Sequence, residues 1–190
     1  IQVTGSHNPA DHNGFKICKG KWTIHGDEIM ELSRIIESGD MMRGDGAEES
    51  YPIIPAYQGY LEEQFGRCGE GVKVVVDSGN GTAGPVAPAV YRSMGCQVVE
   101  LFSEPDGSFP NHHPDPTVEE NMRDLVAAVA EEKADLGIAF DGDSDRIGLV
   151  DSGGRIIWGD EMLVVFARDI LEANPGATVV SEVKCSQRLY

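Results

Sequence analysis

The apolar positions of this 190-residue chain change period several times, and each change marks an element. Residues 14–19 read as a short strand. Over residues 28–38, Ile29, Leu32, Ile35 and Ile36 recur at helical spacing, with Gly39 placed to end the helix. Residues 40–55 lose this periodicity and carry Gly, Asp, Ser and Pro, the composition of a linker. A short helix is predicted over Ala56–Phe65, with Tyr60, Leu61 and Phe65 as its buried side.

From Val72 the pattern is cleaner. The continuous apolar run Val72–Val76 predicts a strand buried on both faces, as in a parallel sheet. A helix over Ala83–Met94, ended by Gly95, leads to a second strand over Gln97–Phe102. A polar, proline-rich loop, Ser103–Pro116, follows. Thr117 and Glu120 have capping-box spacing ahead of a helix with an apolar stripe of Val118, Met122, Leu125, Val126 and Val129. Ala134–Phe140 is the third strand, and the β-α-β-α-β order implies parallel strands joined by right-handed crossovers. After a sharp acidic loop the chain returns as Ile147–Asp151 and, past a Ser-Gly-Gly turn, Arg155–Trp158. A helix over roughly 160–172 and a strand over Thr178–Val183 complete the prediction. The expected class is α/β, with mixed, mainly parallel sheets flanked by helices.

Composition narrows the functions. Apolar residues make up 41% of the chain, enough for a core, and no apolar run reaches membrane-spanning length. The net charge of −17 argues against nucleic acid and anionic membranes as partners. A phosphate ester would therefore need a locally built cationic site, for which His7, Lys16, Arg146 and Lys184 are candidates. Cys18, Cys68, Cys96 and Cys185 are scattered without metal or redox spacing, which fits reduced thiols in a cytoplasmic setting. The sequence opens at Ile1 without Met and closes on Arg188-Leu189-Tyr190 without a stop signal, and it reads as a piece of something longer.

Three segments carry candidate chemistry. In Thr4-Gly5-Ser6-His7-Asn8-Pro9, running on to Lys16, Pro9 holds Asn8 out of the helical region, so Ser6 sits on a stiff turn beside cationic groups. Such a serine can carry a phosphoryl group; an ordinary surface turn is the plainer reading. A serine-hydrolase elbow is disfavoured, because Thr4 and Asn8 stand where its glycines are needed.

Gly79-Asn80-Gly81-Thr82-Ala83-Gly84 matches the dinucleotide pattern G-x-G-x-x-G, with Glu100 near the ribose-binding distance. Asp77 just ahead of it opposes a pyrophosphate, which favours a tight strand-to-helix turn, and the dinucleotide module stays as an alternative. Asp141-Gly142-Asp143-Ser144-Asp145-Arg146 sets three carboxylates at alternate positions after a buried strand. They repel one another unless a cation is shared, and hard oxygen ligands suit Mg²⁺ or Ca²⁺. An EF-hand is ruled out by Arg146 and Ser152 at its glycine and glutamate positions. A solvated acidic turn is the plainer alternative, and a non-catalytic calcium-binding domain is a further one. His112 and His113 point apart as sequence neighbours and read as a structural or inter-domain contact.

Taken together, T-G-S-H-N-P with a downstream lysine, followed far along by D-G-D-x-D-R, resembles the α-D-phosphohexomutase superfamily, most closely bacterial phosphomannomutase/phosphoglucomutase. The run Phe109–Pro116 and the segment Val183–Cys185 resemble the same subgroup. The resemblance implies that Ser6 is the phosphoserine and that Asp141, Asp143 and Asp145, with an oxygen of phosphorylated Ser6, hold Mg²⁺. It implies that His7 and Lys16 surround the transferring phosphate, with Lys16 a candidate for proton transfer, and that Arg146 and Lys184 contact substrate. Ser144 departs from the family's usual glycine.

The implied reaction interconverts hexose 1-phosphate and 6-phosphate of mannose or glucose, or both, through a hexose 1,6-bisphosphate. A metal-dependent sugar phosphatase is the alternative closest in chemistry. The family's multi-domain architecture implies that residues 1–55 end domain I, 56–157 form domain II and 158–190 begin domain III. On that expectation the chain is truncated at both ends, binds Mg²⁺ weakly, is not a competent mutase alone, and is open to self-association through its first segment.

Overall fold

The computed structural model describes residues 1–6, 8–9 and 11–189, apart from the side chain of Arg188. Its first elements are small. Strand β1 (Gln2–Val3) pairs antiparallel with β2 (Phe15–Lys16), and β3 (Cys18–Lys19) with β4 (Trp22–Thr23). The single strand expected over 14–19 is thus two, each committed to a different hairpin. Helix α1 (Asp27–Ser38) ends at Gly39 in the left-handed conformation, as expected, with φ of 69°. Helix α2 spans Ile53–Phe65.

The centre of the fold is β5 (Lys73–Asp77). Val74, Val75 and Val76 are buried on both faces of the sheet, which only a strand with layers on either side can achieve. Helix α3 (Ala87–Ser93) leads to β6 (Gln97–Leu101), parallel to β5 on one side. Helix α4 (Arg123–Glu132) leads to β7 (Leu136–Phe140), parallel on the other. Strands β8 (Ile147–Asp151) and β9 (Ile156–Ile157) complete the order β6-β5-β7-β8-β9, both added antiparallel. Their connections are too short for a parallel crossover, which needs a dozen residues or more. Helix α5 (Gly159–Ala173) follows.

Helix α4 covers one face. Met122, Leu125 and Val129 meet Val75, Ala134, Ala139 and Val150 there in a fully buried cluster. Gly137 allows the approach, because a Cβ there would fall 2.6 Å from Val129 and 2.9 Å from Leu125. Truncating Leu125 to Ala would cost about 2–5 kcal/mol.

Several expectations are corrected. Helix α3 starts at Ala87 rather than Ala83, since Pro85 constrains the residue before it and Pro88 suits only a first turn. The Thr117–Glu120 capping box does not form: Asp115 Oδ1 accepts both the Thr117 N–H (3.0 Å) and its hydroxyl (2.7 Å). Glu120 pairs instead with Arg123, and a 3₁₀ turn, Glu119–Met122, precedes α4. Residues 178–183 form no strand; they pair with no neighbouring strand among the described residues, and Val180 and Val183 face outward. Tyr60 and Phe65 of α2 are also exposed rather than buried.

Candidate metal and phosphoryl site

The loops after β5 and β7 lie side by side at the carboxyl ends of the parallel strands, where open α/β sheets bind ligands. The β1–β2 hairpin brings a third segment to them. Its register sets Gln2 opposite Lys16, and the Thr4 N–H donates to the Gly14 carbonyl at 3.0 Å. Between them the Asn8 N–H donates to Gly5 O and the His12 N–H to Pro9 O, both at 2.9 Å. Ser6 sits in the left-handed region at φ 50°.

Asp143 joins the serine loop to the acidic loop. Its Oδ2 accepts from Thr4 Oγ1 at 2.8 Å and Lys16 Nζ at 3.2 Å, and its Oδ1 from Ser6 Oγ at 3.3 Å. Lys16 Nζ also donates to Asp145 Oδ2 at 2.9 Å. Asp141 is fully buried; its Oδ1 accepts the Arg146 N–H at 3.0 Å. Its Oδ2 accepts no hydrogen bond among the described residues and has Arg146 Nε 3.5 Å away as a counter-charge. Arg146 reaches Asp145 (3.8 Å) and Asp115 (3.7 Å) as well.

The electrostatics follow from these contacts. Burial pushes the Asp141 carboxyl up, and the neighbouring Asp143 and Asp145 charges add to it. Burial also pushes Asp143 up, but hydrogen bonds from Thr4, Lys16 and Ser6 outweigh it and leave that carboxyl below the usual range. The hydrogen bonds to Asp145 and Asp143 raise Lys16, so it is firmly charged at neutral pH.

One ligand oxygen from each of Asp141, Asp143 and Asp145 lies within 4.8 Å of the others. A buried carboxylate oxygen without a donor, beside two more hard oxygens, fits a divalent cation such as Mg²⁺. Gly142 is what lets the serine loop approach. A Cβ there would fall 2.5 Å from the Ser6 carbonyl oxygen.

Ser6, Lys16, Arg146 and the three aspartates are thus brought together from segments over 120 residues apart. Lys184 is not. It is 80% exposed and pairs with Glu182 at 3.5 Å. His7 lies outside the described residues.

The glycine loop is committed internally. Gly79 N–H donates to Asp77 Oδ1, Asn80 N–H to Phe102 O, Gly81 N–H to Ser78 O and Thr82 N–H to Gly142 O. The amides a pyrophosphate would need are taken, and no helix opens at Ala83. Sequence reasoning missed Thr4, which holds both Asp143 and the Ser6 amide (2.9 Å), and the pairing of His112 with Asp77. A hydroxyl two residues before the serine was the available signal for the first.

Residues 57–154 match the family model described as phosphoglucomutase/phosphomannomutase, alpha/beta/alpha domain II. The chain belongs to the phosphoglucomutase/phosphomannomutase family. Over its whole length it is 47% identical to a phosphomannomutase/phosphoglucomutase of Pseudomonas aeruginosa, of which it covers 41%. It is 42% identical to a phosphoglucomutase of Neisseria gonorrhoeae, with the same coverage of both. A solved phosphoglucomutase/phosphomannomutase family structure from Burkholderia thailandensis superposes with a TM-score of 0.88 at 44% identity, covering 98% of this chain and 41% of that one. The chain therefore spans about two-fifths of the length of these relatives.

Proposed function

We propose that this chain is part of a phosphohexomutase that interconverts hexose 1-phosphate and 6-phosphate of mannose, glucose or both, with Ser6 as the phosphoryl carrier. The observation that supports it best is the convergence of Ser6 Oγ, Lys16 Nζ and the acidic loop on Asp143. Phosphoryl transfer requires positioning and charge neutralisation more than covalent chemistry from the protein. Mg²⁺ held by Asp141, Asp143 and Asp145, together with an oxygen of phosphorylated Ser6, would neutralise charge on the phosphoryl oxygens.

The chain's own groups have separable tasks. Thr4 fixes both the Ser6 amide and the Asp143 carboxylate, so the serine and the acidic loop keep one spacing. Lys16, held charged, would neutralise the Ser6 oxygen as the phosphoryl group leaves it. Arg146 backs the carboxylates, and His7 belongs to the phosphate surroundings. Lys184 has a substrate role only if residues 158–190 meet the site in the longer protein. The substrate is a phosphorylated hexose and the intermediate a hexose 1,6-bisphosphate, in a cytoplasmic setting.

Residues 1–55, 56–157 and 158–190 are assigned to successive domains. The 190-residue piece is not a competent mutase alone, and its short β1–β2 and β3–β4 hairpins offer edges to a second copy. The test is peptide mapping of the longer protein after incubation with glucose 1,6-bisphosphate and Mg²⁺. Phosphate on Ser6, absent from a Ser6→Ala variant, is expected; phosphate elsewhere or none overturns the reading.

A further inference from the structure

Asp77 and His112 form a pair that the phosphoryl chemistry described above does not use. Asp77 ends β5 with its side chain 1% exposed, and that of His112 is 12% exposed. Asp77 Oδ1 accepts the Gly79 N–H at 2.9 Å, and Oδ2 lies 3.0 Å from His112 Nε2. His112 Nδ1 lies 3.0 Å from the His113 carbonyl oxygen. Both ring nitrogens therefore face oxygens that only accept. A neutral imidazole has one N–H, so satisfying both contacts needs the doubly protonated ring, whose charge the carboxylate balances.

The surroundings agree. The charged groups acting on the ring are Asp77 from β5 and Asp124 from α4; from its own loop comes the His113 carbonyl, and the Phe102 ring stands edge-on at 5.4 Å. The Asp77 hydrogen bond outweighs burial and raises the imidazole's affinity for its proton.

The segment that His112 begins lies against the acidic loop. Pro114 is buried where a Cβ on Gly142 would stand 3.5 Å from its Cγ, and one on Gly79 3.0 Å from its Cβ. Asp115 pairs with Arg146 at 3.7 Å. Pro116 covers Gly148, where a Cβ would meet its Cβ at 2.8 Å.

We propose that His112 is a positioning residue: as an imidazolium clamped to Asp77, it seats residues 112–116 on the acidic loop and so fixes the spacing of Asp141, Asp143 and Asp145. The consequence for cation binding rests on the metal-site reading above; the clamp does not.

The test uses the chain without metal or sugar. The protonation of the His112 ring nitrogens is read by long-range ¹H–¹⁵N NMR. Amide protection is read at Thr82, which donates to Gly142 O (3.1 Å), and at Ser144, which donates to Asp141 O (3.1 Å). Native chain, His112→Gln and Asp77→Asn are compared between pH 6 and 9.

The native ring should carry two protons at neutral pH, and protection should fall by about 10- to 100-fold as it loses one, the range for a charged hydrogen bond. In Asp77→Asn the ring should be neutral and that pH step absent, because an amide can donate to a bare Nε2. His112→Gln should show low protection at every pH. A native ring with one bare nitrogen at neutral pH overturns the clamp, as does native protection in His112→Gln or an unchanged pH step in Asp77→Asn. Failure of the chain to bind cations would leave all three readouts intact.

Discussion

Gly142 and Ser6 touch through their backbones: any Cβ on Gly142 would lie 2.5 Å from the Ser6 carbonyl oxygen. Backbone against backbone leaves no flexible side chain to yield. Gly142→Ala should therefore push the serine loop off the acidic loop, at a cost of about 1–3 kcal/mol if the loop stays seated. Urea unfolding measures the loss, and loss of the Thr4–Asp143 contact would be visible as new exchange in residues 4–16. Native stability with native exchange would refute the close approach.

Ser144 holds φ at 64°, strained for any residue with a Cβ, and its hydroxyl meets Thr82 Oγ1 at 3.0 Å. Replacement by Gly and by Ala both remove that hydroxyl contact, so their difference isolates the backbone term. Ser144→Gly should be more stable than Ser144→Ala by about 1 kcal/mol. Equal stabilities would place the strain elsewhere.

Lys16 donates to the same two carboxylates, Asp143 and Asp145, that a shared cation would draw on. Lys16→Met should tighten Mg²⁺ binding, by up to about fivefold given that the lysine is half exposed and screened. The same variant should lose phosphoryl transfer in the longer protein. Weaker Mg²⁺ binding in Lys16→Met would contradict a competing charge.

The Asp77–His112 pair also predicts a slope of stability with pH. The folded state raises the His112 pKa, so the pair's contribution is complete below the unfolded value, about 6.5, and is lost as pH rises through the higher folded value. Urea midpoints between pH 6 and 9 should fall in the native chain. The fall should be absent in Asp77→Asn; the same slope in both would remove His112 as its source.

Much of the central sheet was legible because Val74–Val76, Val129 and Leu125 obey one period each and are buried as that period requires. The acidic loop was legible as a candidate cation site because alternating carboxylates repel one another unless a cation is shared, and Ser6 as a candidate because of its place in a motif. Beyond the meeting of Ser6 with the acidic loop that the resemblance implied, sequence did not reveal contacts between distant segments. The Asp77–His112 pair spans 35 residues and the Thr4–Asp143 bond 139, and no local pattern encodes either. The Thr117–Glu120 spacing suggested a cap, but a nearer acceptor, Asp115, took the Thr117 N–H that the Glu120 side chain would have capped. Residues 178–183 have strand-like composition, yet strand structure comes from a partner rather than from composition.

The central claim is that Asp141, Asp143 and Asp145 form one cation site facing Ser6, and calorimetric titration of the 190-residue chain with Mg²⁺ tests it most directly. The account predicts a single weak site, on the order of millimolar, lost when Asp141 and Asp143 are both changed to Asn. Absence of any Mg²⁺ binding, or binding that survives the double substitution, would contradict it.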